Sequence, residues 1–213
     1  MEEQIQKYSG KNIQKRDMAG EVELSCPKRL LLHCCCAPCS SHCLWMLSNY
    51  FDITAYFYNP NITDYEEYIK RYKELLRFTK QVYEDRIDVK LENHEPQVFY
   101  EMAKGMENLP ERGGRCYKCY RLRLEKTAAY AKKEGYDLFT TTLSISPHKN
   151  ATWINEIGQE MGEKYGVEFL FSDFKKKNGY KHSIDLSHEY NLYRQDYCGC
   201  EFSRRAREEA KSL

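Results

Sequence analysis

The sequence predicts an α/β fold, a mostly parallel Rossmann-like sheet covered by helices on both faces. Three observations predict it. Short apolar runs rich in β-branched and aromatic residues alternate with stretches of helical spacing, in the order β-α-β-α-β-α-α-β-α-β. The first of these runs, RLLLHCC, is apolar enough for a strand buried on both sides. The chain of 213 residues suits one domain with a short appendage, and can bury about 70% of the surface its unfolded form exposes.

Taken in order, residues 1–28 are polar, with five basic and five acidic residues that cancel; they read as an arm or a peripheral helix. Residues 29–213 read as one domain. Residues 29–35 form the first strand, which Pro38 ends, and Ser40 or Ser41 caps a helix through residues 44–49. Residues 53–58 (ITAYFY) are the second strand, closed by the turn Asn59-Pro60-Asn61. Thr63 or Asp64 followed by Glu66 and Glu67 marks a helix start, continued by Tyr65, Ile69, Tyr72, Leu75, Leu76 and Val82. Residues 87–91 are a third strand, residues 96–106 a helix ending near Gly105, and residues 121–133 a helix closed by Gly135. The fourth strand is residues 137–143 (DLFTTTL), followed by a helix over 151–165 and a fifth strand over 167–171. In such a sheet the ligand site lies beyond the carboxyl ends of the strands. There the loops HCCCAPC, YNPNIT and SISPHKN converge.

Composition excludes more than it assigns. Lys and Arg total 33 against 32 Asp and Glu, so no global field draws the chain to nucleic acid or membrane. No apolar run approaches the ~20 residues of a membrane-spanning helix. The ten cysteines are the anomaly. They fall in three groups: Cys26, Cys34, Cys35, Cys36, Cys39 and Cys43; Cys116 and Cys119; Cys198 and Cys200. The N-terminus has no apolar signal core, so the protein is expected in the cytoplasm, where thiols stay reduced. Clustered thiols in that compartment point to metal or redox chemistry.

Each group carries its own chemistry. In His33-Cys34-Cys35-Cys36-Ala37-Pro38-Cys39, a strand end bending into a Pro-containing loop lets two neighbouring cysteines reach a large iron–sulfur cluster, with packing as the alternative. Cys116-Tyr117-Lys118-Cys119 is a C-x-x-C beside a helix start and suits zinc, an iron–sulfur cluster or a dithiol. Cys198-Gly199-Cys200 suits a strained, readily reduced disulfide or a pair of metal ligands. Around the C-x-x-C, residues 112–133 hold eight basic residues and one acidic, a local +7. Lys175, Lys176, Lys177 and the tail Arg204, Arg205, Arg207 add basic patches, and Tyr180, Tyr190, Tyr193 and Tyr197 interleave with His182, His188 and Arg194. Basic and aromatic side chains beside a metal site suggest RNA as substrate. Arg115, Arg121, Lys149, Tyr193 and Arg194 are the residues expected to bind it.

HCCCAPCS, RCYKCYRLRLEKTA, TTLSISPHKN and FKKKNGYKHSIDLSHEYNLYRQDYCGC resemble the signatures of the QueH-type epoxyqueuosine reductase family, from about Leu30 to Ser203. The resemblance implies a fold similar to the adenine-nucleotide α-hydrolase-like group, with residues 29–213 as a single catalytic domain. It implies reduction of epoxyqueuosine to queuosine at the tRNA wobble position, the last step of queuosine biosynthesis. It also implies a 4Fe–4S cluster and no cobalamin. Carried over by residue, the ligands are Cys35, Cys36, Cys116 and Cys119, and Cys198 with Cys200 is the redox-active disulfide. Cys34 falls at a variable position of the motif; Cys26, Cys34 and Cys43 receive no role. Cys39 is surplus to a four-thiolate cluster and is assigned here to a second iron, a Lewis acid for the epoxide oxygen. An external electron donor is required, and Asp64, His33, His148, Tyr197 and Asp185 are the acids considered for the departing oxygen. Two rival readings are an iron–sulfur tRNA thiolase and a zinc-stabilised RNA-binding protein. The thiolase needs an S-G-G-x-D-S-type loop after strand one, where this chain has A-P-C-S-S.

Overall fold

Leu30, Leu31 and Leu32 have no exposed surface, so the strand that carries them is covered on both faces and flanked on both edges. A computed structural model describes residues 27–212. In it, that strand, β1 (Arg29–His33), is the centre of a five-stranded sheet with β2 (Asp52–Phe57), β3 (Asp88–Leu91), β4 (Leu138–Thr141) and β5 (Glu168–Phe169). The strand order is β3-β2-β1-β4-β5 and every neighbouring pair is parallel. The expected α/β class and its parallel sheet are borne out. The arm expected over residues 1–28, and Cys26 within it, lie outside the described residues apart from Pro27 and Lys28.

The helices among the described residues are α1 (Ala37–Leu47), α2 (Tyr65–Tyr83), α3 (Pro96–Ala103), α4 (Gly114–Lys133), α5 (Ala151–Tyr165), α6 (Gly179–Glu189) and α7 (Glu201–Lys211). Alternate residues of a strand face opposite sides, and β1 divides the core accordingly. Leu30 and Leu32 pack with Leu44, Phe57, Leu75, Phe78 and Phe174 on one face. Leu31 packs with Leu124, Phe139, Ile154, Ile157 and Phe169 on the other. Gly158 of α5 is required by this packing, since a Cβ there would lie 2.4 Å from the Phe169 ring. No helix among the described residues is long and apolar enough to cross a membrane.

Three boundaries differ from expectation for a local reason. Pro38 does not merely end the strand; it sits in the first turn of α1, where its missing N–H and fixed φ suit a helix start. Ser40 and Ser41 are therefore inside the helix, donating to the Cys36 and Pro38 carbonyls at 2.8 and 2.9 Å. Helix α4 begins at Gly114 rather than residue 121, which places both C-x-x-C cysteines in its first two turns. The fourth strand stops at Thr141, and residues 142–145 tighten into a 3-10 turn that Thr141 caps through the Leu143 N–H. Of the two caps expected for α2, it is Asp64 that serves, accepting from the Glu67 N–H at 3.0 Å. Helices α6 and α7 lie in a stretch that reads as motif rather than as secondary structure.

Successive strands run from β1 outward to β3 on one side and from β4 to β5 on the other. The direction reverses between β1 and β4, so a crevice opens at their carboxyl ends. That is where His33, the cysteine run and the loop after β4 meet.

Candidate active site

The floor of the crevice is fixed by His33, which has no exposed surface. Its Nε2 donates to the Tyr58 carbonyl at 3.0 Å and its Nδ1 accepts from the Thr141 hydroxyl at 2.8 Å. A carbonyl only accepts, so the proton is on Nε2. Burial first, and then the Arg123 charge, lower the ring's pKa to about 4. His33 is therefore neutral and ties the ends of β1, β2 and β4 together; this removes it from the proton donors considered above.

Beyond His33 the chain turns through residues 34–36 into α1. Cys34 joins the core on the opposite face from Cys35 and Cys36 and donates to the Leu32 carbonyl at 3.3 Å. Cys43 donates to the Cys39 carbonyl at 3.3 Å, one helical turn back. Cys35, Cys36 and Cys39 converge instead. Their sulfurs lie within 4.8 Å of one another, a set that can hold a metal ion. Hydrogen bonds from the Cys36 and Cys39 thiols hold Cys35 well below the ordinary thiol range, and Lys149 and Arg123 add to this against the effect of burial. The two donors shift the other way: Cys36 is pushed up to about 12 and Cys39 well above its usual value. Cys35 is thus the first thiolate of the group. The start of α1 adds the positive end of a helix dipole beside it.

The other sequence-predicted thiols gather nearby. Cys116, Cys119, Cys198 and Cys200 line a small cavity of about 20 Å³ together with Arg115, Tyr120 and Arg123. Burial raises Cys116 and pushes Cys119 up to about 11 and Cys200 up to about 12. The Arg112 N–H donates to the Cys116 sulfur at 3.3 Å. Cys200 caps α7 by accepting from the Ser203 N–H at 3.4 Å. Gly199 between the last two cysteines has φ +120°, and a Cβ there would stand 2.9 Å from Ile62 Cγ1, so only glycine fits. Cys198 and Cys200 are free thiols here.

Above these thiols opens a cavity of about 510 Å³. Cys35, Cys39 and Cys198 form its sulfur wall; Arg71, Arg123, Lys149 and Arg194 are cationic, Glu111 and Asp196 anionic, and Tyr180 and Tyr197 offer ring faces. Burial lowers the Lys149 ammonium pKa, but charge on Cys198, Cys35 and Cys39 outweighs it and the pKa is raised. His148 also lines the cavity, its Nδ1 accepting from Arg112 at 2.6 Å.

The residues expected at the substrate divide. Lys149 and Arg194 line the large cavity. Arg115 is buried, and its Nη1 donates to the carbonyls of Met106, Glu107 and Leu109 at 2.8, 2.9 and 2.7 Å, holding the loop between α3 and α4. Arg121 lies outside the cavity in a two-pronged pair with Glu160 at 2.5 and 2.7 Å. Tyr193 sits in an outer groove, donating to Glu67 at 3.0 Å under the Lys70 ammonium. Of the acids considered, Asp64 caps α2 and Asp185 is exposed on α6, while His148 and Tyr197 face the cavity.

Arg71 and Gln195 were not anticipated. Arg71 is 1% exposed and lies on the buried face of α2 with Tyr68, Leu75 and Phe78. An arginine at the i+3 position of an otherwise apolar stripe is the signal that marks it. Gln195 Nε2 donates to the Cys36 sulfur at 3.1 Å; nothing in its sequence surroundings distinguishes it from other polar residues.

Comparison with known proteins identifies the family. Residues 30–206 match the family model described as epoxyqueuosine reductase QueH. The chain is 42% identical over 181 residues to the epoxyqueuosine reductase QueH of Staphylococcus epidermidis, covering 82% of this chain and 76% of that protein. It is 40% identical over 182 residues to that of Streptococcus pyogenes, covering 82% and 69%. It is 38% identical over 180 residues to that of Thermotoga maritima, covering 84% and 92%. The chain belongs to the epoxyqueuosine reductase QueH family.

Proposed function

We propose that this chain is an epoxyqueuosine reductase that removes the epoxide oxygen of epoxyqueuosine at the tRNA wobble position, leaving the alkene of queuosine. The observation that carries the reading is the cavity at the β1/β4 switch point, whose wall combines thiols, buried cations and half-buried tyrosine rings in a chain of this family. A volume of about 510 Å³ lies within the range of small-molecule sites. That suits one modified nucleoside turned out of a loop, with Tyr180 and Tyr197 as stacking faces and Arg194 and Lys149 for polar groups.

The residues present fit an iron–sulfur cluster. Thiolates are the ligands such clusters take, and Arg71 Nη2 and Arg123 Nη2 are buried beside the thiols with no hydrogen-bond partner. Cys35, Cys36, Cys116 and Cys119 are the proposed ligands of a 4Fe–4S cluster, and Cys39 that of a second iron. Such a cluster ordinarily supplies electrons one at a time, and the iron a Lewis acid.

The reaction consumes two electrons and two protons and releases water. Oxidation of the Cys198/Cys200 dithiol to a disulfide releases two electrons and two protons, so one dithiol balances one epoxide. Cys198 lines both cavities and Cys200 only the smaller one, which fits a pair that meets the substrate through Cys198. An external donor then reduces the disulfide. Of the acids considered, His148 and Tyr197 face the cavity and are able to hand a proton to the departing oxygen.

The test is anaerobic incubation with epoxyqueuosine-containing tRNA and a low-potential reductant, followed by mass analysis of the released nucleoside. Loss of one oxygen with the ring carbons intact is the expected result. Unaltered epoxyqueuosine, with iron-loaded protein, overturns the reading.

A further inference from the structure

Two arginines are buried at the thiols in a way that their own partners do not account for. Arg123, on α4, is 1% exposed. Its Nε donates to the Cys119 carbonyl at 3.4 Å and its Nη1 to Asn59 Oδ1 at 3.4 Å, both neutral acceptors at long range. Its Nη2 is buried and donates to nothing. No carboxylate pairs with this guanidinium among the described residues, and the neighbours that act on it most are Cys119, Cys198, Cys35 and Tyr120. Arg71, on α2, is also 1% exposed, but Glu67 pairs with it at 2.6 Å and the Cys198 carbonyl accepts from its Nη1 at 3.1 Å. Its Nη2 is likewise buried without a partner.

A fully buried cation with no counter-charge is strongly unfavourable, and a guanidinium does not escape by losing its proton. An anion must therefore stand beside Arg123 in the working protein. Both Nη2 atoms are closed to solvent, which argues against a phosphate arriving with the RNA. Arg123 shares the linings of the two cavities with thiols of both cysteine groups, Cys35 and Cys198 in the larger and Cys116, Cys119 and Cys200 in the smaller, so the anion is assigned to sulfur.

We infer that Arg123, with Arg71 in a lesser part, is the counter-ion and N–H donor of the metal–thiolate centre and sets its reduction potential. The inference rests on the cluster reading proposed above. Each added electron makes the centre more negative, and a fixed cation in a low-dielectric site favours the reduced form over the oxidised one. N–H bonds to sulfur act in the same direction. Arg123 carries an uncompensated charge, whereas Arg71 shares its charge with Glu67, so Arg123 has the larger effect. Both are positioning residues; neither is required to touch substrate.

The test is a reductive titration of anaerobically reconstituted wild type, Arg123→Gln, Arg123→Lys and Arg71→Gln, followed by electron paramagnetic resonance and iron and sulfide analysis. Arg123→Gln is expected to keep its iron and sulfide and to shift one-electron reduction at least tenfold towards the oxidised form, a fall of about 59 mV. Arg123→Lys restores the charge but not the planar fork, and falls less. Arg71→Gln falls with the same sign and a smaller size. An unchanged or raised potential in loaded Arg123→Gln overturns the inference alone. Where Arg123→Gln does not fold, an unchanged potential in both Arg123→Lys and Arg71→Gln overturns it. Wild type that takes up no cluster overturns the underlying reading instead, and the inference with it.

Discussion

The two thiol groups, joined at the crevice through Cys198, are built in opposite ways. Cys35, Cys36 and Cys39 come from one strand end and the helix start that follows it, and their sulfurs converge within 4.8 Å. Cys116 and Cys119 come from the first turns of α4, and Cys198 and Cys200 from the loop before α7, so the second group exists only when distant segments have packed. Their electrostatics differ accordingly. Thiol-to-thiol hydrogen bonds hold Cys35 down within the first group, whereas burial holds Cys116, Cys119 and Cys200 up in the second. A local cluster supplies its own thiolate. An assembled one becomes charged only when a metal or an oxidant draws the protons off.

Removing the acceptor of the first group should have the largest effect. Cys35→Ala deletes the sulfur that both neighbouring thiols serve, so iron content and turnover should both fall to background. Cys119→Ala should do the same if the two groups share one centre. Iron and sulfide assays read beside activity decide this, and a Cys119→Ala protein with full iron and full activity separates the groups. Cys200→Ala should instead keep the iron and lose turnover. Full turnover in that variant refutes the redox pair.

The same contrast explains what could be read from the chain. The first group is contiguous, and its strand, loop and helix start were legible as HCCCAPC because a few adjacent residues determine them. The sheet was legible for the same reason, each strand being a short run such as ITAYFY. The start of α4 was not. Gly113 leaves it without a side-chain cap, so nothing in the local pattern marks residue 114. Arg115 and Arg121 sit in the same basic segment yet turn to loop carbonyls and to Glu160, because charge counting is blind to helical phase. Arg71 shows the converse. Its position on the apolar stripe of α2 was readable, but what lies opposite it depends on the loop around Cys198, and that contact is purely tertiary.

A smaller effect probes how the second group is held without deleting any sulfur. Gly199→Ala places a side chain at φ +120° with its Cβ 3.2 Å from Arg71 Nη1 and 2.9 Å from Ile62 Cγ1. Backbone strain of this kind costs about 1–3 kcal/mol. Urea unfolding should register that loss, and turnover should drop as the Cys198 carbonyl leaves Arg71. Unchanged stability and turnover would mean that the loop has room the structure does not give it.

The mildest test concerns the helix that carries Cys39. Helix α1 meets α6 through His42, whose Nδ1 lies 2.9 Å from His182 Nδ1, with the Trp45 ring stacked 5.8 Å from His42. One proton serves that contact, donated by one ring and accepted by the other, so protonating both rings breaks it. Burial, and then His182, lower His42 from 6.5 to about 4. Between those values the unfolded chain binds a proton that the folded chain does not. The stability is therefore whole above pH 6.5 and declines as pH falls towards 4, by no more than about 1.4 kcal/mol per pH unit for one group. His42→Gln should flatten the fall measured by urea unfolding across this range. The slope should shrink rather than vanish, because His33 is also lowered to about 4 by burial. A slope unchanged in His42→Gln would assign the acid sensitivity to the floor of the crevice instead of to the helix that bears the first group.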